Sequence, residues 1–332
     1  MLQYILRRVL QMIPTVFLIS VISFVLIQLP PGDYLTSIVA TMQQSGDHLT
    51  QEALERLKNE YGLGQPIYVQ YAKWMWGILS RGSFGRSFFW NRPVTELIAD
   101  RLAVTVILTL ITMIFTWAIA LPIGIYSATH QYSKLDYLFT SGSFIGLATP
   151  DFLLALILIY LAVVYLNESM AGLFSPEFAD APWSWARFVD MMKHIAVPMV
   201  ISGTSGTAGL VRVMRGSLLD ELNKPYVITA RAKGLAERKL LWKYPVRVAI
   251  NPFVSTIGWS LASLFSGGTI VGVVLGLPTI GPMLLSALMA QDMYLAGSIL
   301  FIVSILTVIG TLISDLLLAW VDPRIRFEGG GR

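Results

Sequence analysis

Three histidines, His48, His130 and His194, are the side chains best suited to proton transfer or metal ligation, but they stand too far apart to form a ligand spacing. Cysteine is absent, which excludes disulfides, thiolate metal sites and a cysteine nucleophile. No serine sits in a Gly-x-Ser-x-Gly elbow, and no Gly-x-x-x-x-Gly-Lys-Ser/Thr loop is present to cradle nucleotide phosphates. No catalytic residues are therefore expected, and any energy must come from elsewhere. Two acids, Asp151 and Asp315, fall inside long apolar stretches. A carboxylate in hydrocarbon is costly, so by default it faces a cavity or a partner. Asp315 lies close to Asp322 and Arg324, which favours a structural pair. Asp151 directly follows Pro150, and an alternative reading makes it the proton site of a secondary transporter, with uptake that fails under an uncoupler.

The elements that must position these residues are membrane helices. The chain is 55% hydrophobic and 13% charged, about half the charge of an average soluble domain. Its net charge of +4 is dispersed between apolar runs and forms no basic face, so nucleic acid is not expected as a partner. A span needs roughly 20 apolar residues and must satisfy its own backbone, which forces helix. Six stretches qualify: Val9–Leu29, Leu102–Tyr126, Tyr137–Leu166, Ile195–Val211, Phe253–Leu275 and Leu295–Trp320. The first reads as a retained span and not a cleaved signal. Ser266-Gly267-Gly268 matches a fragment of an ATPase signature, but inside the fifth stretch close helix packing is its better reading.

Arg7 and Arg8 precede the first span, Arg324, Arg326 and Arg332 follow the last, and the connection at 212–249 is dense in cations. By the positive-inside rule both termini and that connection are cytoplasmic. Parity then places the insertion at 30–101 outside. It is expected to hold one helix from Thr50 to Asn59 and another over Tyr68–Leu79, and both a passive lid and a substrate-contacting module fit it. The domain reading is span one with the N-terminus (1–29), the insertion (30–101), a five-span core (102–325) and a flexible tail (326–332).

The fourth stretch carries Ser202, Gly203, Thr204, Ser205, Gly206, Thr207 and Gly209. Small residues let helices approach closely, and Ser202, Thr204, Ser205 and Thr207, with Asp151, could also line a polar pathway. In the cytoplasmic connection, Pro225 and Gly234 bracket a two-turn helix, and a second runs from Glu237 to Tyr244 before Pro245. Tyr226, Val227, Leu235, Leu240, Leu241 and Trp242 are expected to be exposed among cations. Such a cluster suits either a protein partner or an anionic lipid surface.

Thr229-Ala-Arg-Ala-Lys-Gly-Leu235 resembles the EAA loop of ABC-transporter permeases, specifically the dipeptide, oligopeptide and nickel family. Tyr4-Ile-Leu-Arg-Arg8, Tyr61-Gly-Leu with Gln65-Pro66, Gly82-Ser-Phe-Gly-Arg-Ser87, Asn251-Pro252 and Asp322-Pro-Arg324 match in the same order, and the insertion is similar to that of one subunit of the permease pair. The resemblance implies an all-α membrane fold of six spans with cytoplasmic termini, like a type I ABC importer permease. It implies a bacterial inner-membrane importer of oligopeptides or solutes of similar size, oligosaccharides included. It also implies a second homologous permease, two ATP-binding subunits that hold ATP and magnesium, and a periplasmic binding protein; this chain itself would carry no cofactor. Carried over, Ala230, Ala232 and Gly234 are close-approach positions on the ATPase, Tyr226 and Leu235 its anchors, and Arg231 and Lys233 rim charges. One departure is Gly272 followed by Pro278-Thr-Ile-Gly281, where the family has an acid before a Pro-Gly-x-Gly run.

Overall fold

Proline and glycine divide the sequence into helices at most of the expected points. The structure, a computed structural model, describes residues 2–28, 65–87, 89–167 and 170–321. The expected helix at Thr50–Asn59, His48, the tail at 326–332 and the Asp322 and Arg324 partners of Asp315 lie outside these residues. In chain order the helices are α1 (Leu2–Gln28), α2 (Ile67–Arg81), α3 (Val94–Thr129), α4 (Lys134–Ala148), α5 (Asp151–Leu161), α6 (Trp185–Leu222), α7 (Pro225–Ala232), α8 (Glu237–Lys243), α9 (Pro245–Ala249), α10 (Asn251–Val274), α11 (Ile280–Met289) and α12 (Met293–Val321). Among the described residues no strand forms, and Arg86 and Pro93 make an isolated bridge. Among the described residues four helices, α1, α3, α6 and α12, are long and apolar enough to cross a membrane, and a bent pair makes up to five.

That bent pair corrects the expected third span. The stretch Tyr137–Leu166 is not one helix: α4 and α5 meet at 99° across Thr149 and Pro150. Pro150 has no N–H to continue the ladder, and it pushes Thr149 into an extended conformation with φ −84° and ψ 119°. The fourth span is corrected in length. It was expected over Ile195–Val211, but α6 has 38 residues and reaches Leu222. Arg212 and Arg215, read from sequence as loop cations, therefore belong to a helix, and the loop begins at Asn223.

Two compact units emerge. One takes Met1–Leu10, Thr105–Pro278 and Leu306–Arg332, the other Gln11–Val104 and Thr279–Ile305. In the first, Ala120, Met214, Leu218, Val246 and Phe253 form one buried cluster, and Ala155, Ile201, Val271 and Leu275 another. Gly203 permits the close approach of α6 to α3, since a Cβ there would meet Phe115 at 2.7 Å. Asp315 pairs with Arg8 at 3.2 Å, so its partner in this unit comes from the N-terminal helix. The connection from α5 to α6 is pinned by Arg187, which donates to the carbonyls of Ala179 and Ala181 and lies over the rings of Phe174 and Trp183. Asp190 accepts from the Ser175 N–H at 2.8 Å and from its hydroxyl.

In the second unit, α2 lies where a helix over Tyr68–Leu79 was expected. It buries Trp74 against Phe24 and Phe301, and the Tyr71 hydroxyl meets Ser20 Oγ at 2.7 Å. Asp292 is 1% exposed. It caps α12 through the Leu295 N–H and also accepts from the Phe89 N–H, both at 3.2 Å, and from the Ser87 hydroxyl. The two halves of the unit's chain are stitched together at this carboxylate.

Candidate functional site

The hairpin α7–α8 follows α6 with only Asn223 and Lys224 between. Lys224 is extended, Pro225 occupies the first turn of α7, and Gly234 ends it at φ +79°, a conformation that suits glycine. The Leu235 N–H reaches back to the Ala230 carbonyl at 3.4 Å, and the chain turns into α8. Val227 and Leu240 are fully buried and Ala230 nearly so, with Leu235 and Tyr244 packed on them. Arg231 closes the hairpin, its Nη2 lying 3.2 Å from Glu237 Oε2 and its Nε bonded to Oε1. Hydrogen bonds from the guanidinium, and then its charge, hold the Glu237 carboxyl below its ordinary value of 4.5. The closure is therefore complete at neutral pH and is lost as pH falls through that lowered value.

This geometry redistributes the residues read from sequence. Tyr226, Ala232, Lys233 and Gly234 lie on the exposed side as expected, and the Tyr226 hydroxyl donates to Glu221. Ala230, Val227 and Leu240 do not: they form the hairpin's own core, so the smallness of Ala230 serves the packing of α8 on α7. Leu235 is half-buried in that core, and Arg231 is paired with Glu237. Ile228, overlooked in the sequence, is 56% exposed and Trp242 57%. Helical spacing carries the signal for Ile228, because Val227 and Ala230 mark one face and Ile228 with Ala232 the opposite one.

Of the polar residues on α6, Ser205 lies near the Asp151 carboxyl in the first turn of α5. Thr204 spends its hydroxyl on the Val200 carbonyl at 2.6 Å, while its methyl would meet a Cβ at Gly146 at 3.2 Å. Ser202 and Thr207 are half-buried on the same helix. Asp151 and Ser205 are thus brought together, and Thr204 serves the α4–α6 contact. Asp136 is a further site that no sequence motif marks. Arg215 reaches it through Nε and Nη2, both at 3.1 Å.

Long apolar helices and an exposed hairpin with its own packed core define a membrane protein. Comparison with known proteins places it more closely. Residues 120–327 match the family model described as binding-protein-dependent transport system inner membrane component, and residues 1–109 match the N-terminal model of such membrane components. The chain is 36% identical to the oligopeptide transport system permease protein AppB of Bacillus subtilis, covering 98% of this chain and 99% of that one. It is 31% identical to the peptidoglycan transport system permease protein YejB of Agrobacterium fabrum, over 98% of each. With the oligopeptide transport system permease protein OppB of Haemophilus influenzae it shares 30% identity, over 98% of this chain and all of that one. The chain belongs to the family of binding-protein-dependent ABC transport permeases and is the permease subunit of an importer.

Proposed function

We propose that this permease serves an oligopeptide importer in a bacterial inner membrane, and that its α7–α8 hairpin is the element through which ATP hydrolysis elsewhere drives it. The reading rests on one observation: Ile228, Ala232 and Gly234 present an exposed face on a hairpin with its own core, and α6 runs directly into that hairpin. In this reading six spans cross the membrane, α10 being the fifth, with both termini and the hairpin cytoplasmic and the segment 30–101 outside. Two ATP-binding subunits bind ATP and magnesium, each taking one permease hairpin. A second homologous permease and a periplasmic binding protein complete the assembly, and this chain contributes movement and pathway with no active site of its own. The names of the oligopeptide permeases it resembles support a peptide cargo. The family gives no support to a proton-coupled carrier built on Asp151.

Ile228→Glu tests the coupling. It places a carboxylate on the exposed face and leaves Val227, Ala230 and Leu240 packed. The variant is expected in the membrane at normal level, with the ATP-binding subunits lost on purification and uptake reduced about tenfold or more, as for an interface anchor. Undiminished uptake with the subunits retained overturns the reading.

A further inference from the structure

Asp136 has a side chain 4% exposed, in the first turn of α4. Beside the two Arg215 donors it accepts the Tyr132 N–H at 3.0 Å and the Thr140 hydroxyl at 3.3 Å. Tyr132 is held at φ +62°, the left-handed region that a tyrosine adopts only under constraint, so the turn between α3 and α4 is shaped around this carboxylate. A bidentate guanidinium fixes direction as well as distance, which a lysine could not do. Arg215 lies seven residues before the end of α6, about 10 Å along the helix axis from the entry to the hairpin.

The same α6 holds the second arm of the elbow. Past the 99° bend, Ala155 of α5 and Ile201 of α6 are fully buried in one apolar cluster. Between these points α4 lies against α6 without side-chain padding, since a Cβ at Gly146 would sit 3.2 Å from the Thr204 methyl and 3.6 Å from Ala208 Cβ. The elbow α4–α5 is therefore held against one helix at the start of α4, at close quarters along it and again beyond the bend. Packed helices of this kind move as bodies, because interdigitated contacts do not deform continuously.

We propose that α6 and the α4–α5 elbow form a single moving body, and that Arg215, through Asp136, is the positioning residue that makes the elbow follow the hairpin. The proposal rests on the reading of α7 as the ATPase-contacting element. Displacement of α7 passes into α6 across two residues, and the Asp136–Arg215 pair carries it into the elbow. Asp151 at the bend then moves with α6 and not against it.

The absence of cysteine from the chain makes a cross-link clean. The 3.6 Å between Cβ positions at 146 and 208 falls within the roughly 3.5–4.5 Å of a disulfide. Gly146→Cys with Ala208→Cys, in the assembled importer in proteoliposomes, is expected to retain uptake within about twofold when oxidised, since the pair does not separate during the cycle. Arg215→Gln is expected to keep the ATP-binding subunits and most ATPase activity while transport per ATP falls about tenfold, a usual size for linked sites. Oxidising the cysteine pair in that background restores the ratio. Loss of uptake on oxidation of the otherwise unaltered chain means that the helices must slide, and overturns the proposal. So does a parallel fall of ATPase and uptake in Arg215→Gln, which marks a purely structural pair. Failure of the hairpin reading shows separately, as ATP-binding subunits that stay attached to Ile228→Glu.

Discussion

A methyl group added at Gly124 on α3 would lie 2.6 Å from Met214 Cβ and 3.2 Å from the Val211 carbonyl oxygen. Neither neighbour is the loose end of a side chain, and Met214 is fully buried. At Gly216, two residues further along the same α6, an added Cβ meets nothing within 4 Å. The two positions are the same residue type on packed helices, yet they answer to different physics. Gly124→Ala is expected to destabilise by about 1–3 kcal/mol through overpacking. Gly216→Ala is expected to stabilise by roughly 0.5–1 kcal/mol, by removing the entropy that glycine loses in a helix. Thermal melting of the purified complex separates them, one midpoint falling and the other holding or rising. Equal shifts would mean that α3 does not approach α6 at Gly124 as described.

The elements that sequence punctuates most strongly are the ones it located best. Pro225, Gly234 and Pro245 each act through backbone geometry alone, so the ends of α7 and α8 were legible without knowing their neighbours. Which face of α7 looks outward was not, because Val227 and Ile228 are chemically alike and only the presence of Leu240 beneath one of them decides it. Pro150 was legible as a perturbation, but a proline in an apolar run yields a kink or a full break depending on what the freed backbone can find. The flanks of α6 were missed for a related reason. Hydropathy registers the apolar middle of that helix, whereas its ends are polar helix supported by Asp190, Arg187 and the Asp136–Arg215 pair. Arg187 offers the test at this level. It binds two carbonyls of the segment before α6 and covers two of its rings, and Arg187→Ala removes all four contacts while leaving the helix intact. Amide exchange over residues 172–183 is expected to rise about tenfold, with the hairpin unaffected. Unchanged exchange would show that Asp190 and Ser175 suffice to hold the segment.

At the scale of the whole molecule, one helix fixes the sidedness of everything attached to it. The 38 residues of α6 extend about 57 Å, well beyond the roughly 30 Å of hydrocarbon, so in the proposed topology both ends project into water on opposite faces. The cations cluster at one end: Lys224, Arg231, Lys233, Arg238, Lys239, Lys243 and Arg247 all follow Leu222, whereas the segment from Asn167 to Trp183 has none. In the proposed topology the bias of positive loops toward the cytoplasm puts the hairpin inside and that segment outside. With no native cysteine to interfere, single introduced thiols report this directly. Glu177→Cys, exposed before α6, is expected to react with a membrane-impermeant maleimide in intact cells whose outer barrier has been opened. Lys233→Cys, exposed beyond the end of α7, is expected to react only once the inner membrane is breached. If both thiols label from the same side, α6 does not cross the bilayer, and neither the cytoplasmic hairpin nor its transmission of force to the elbow survives.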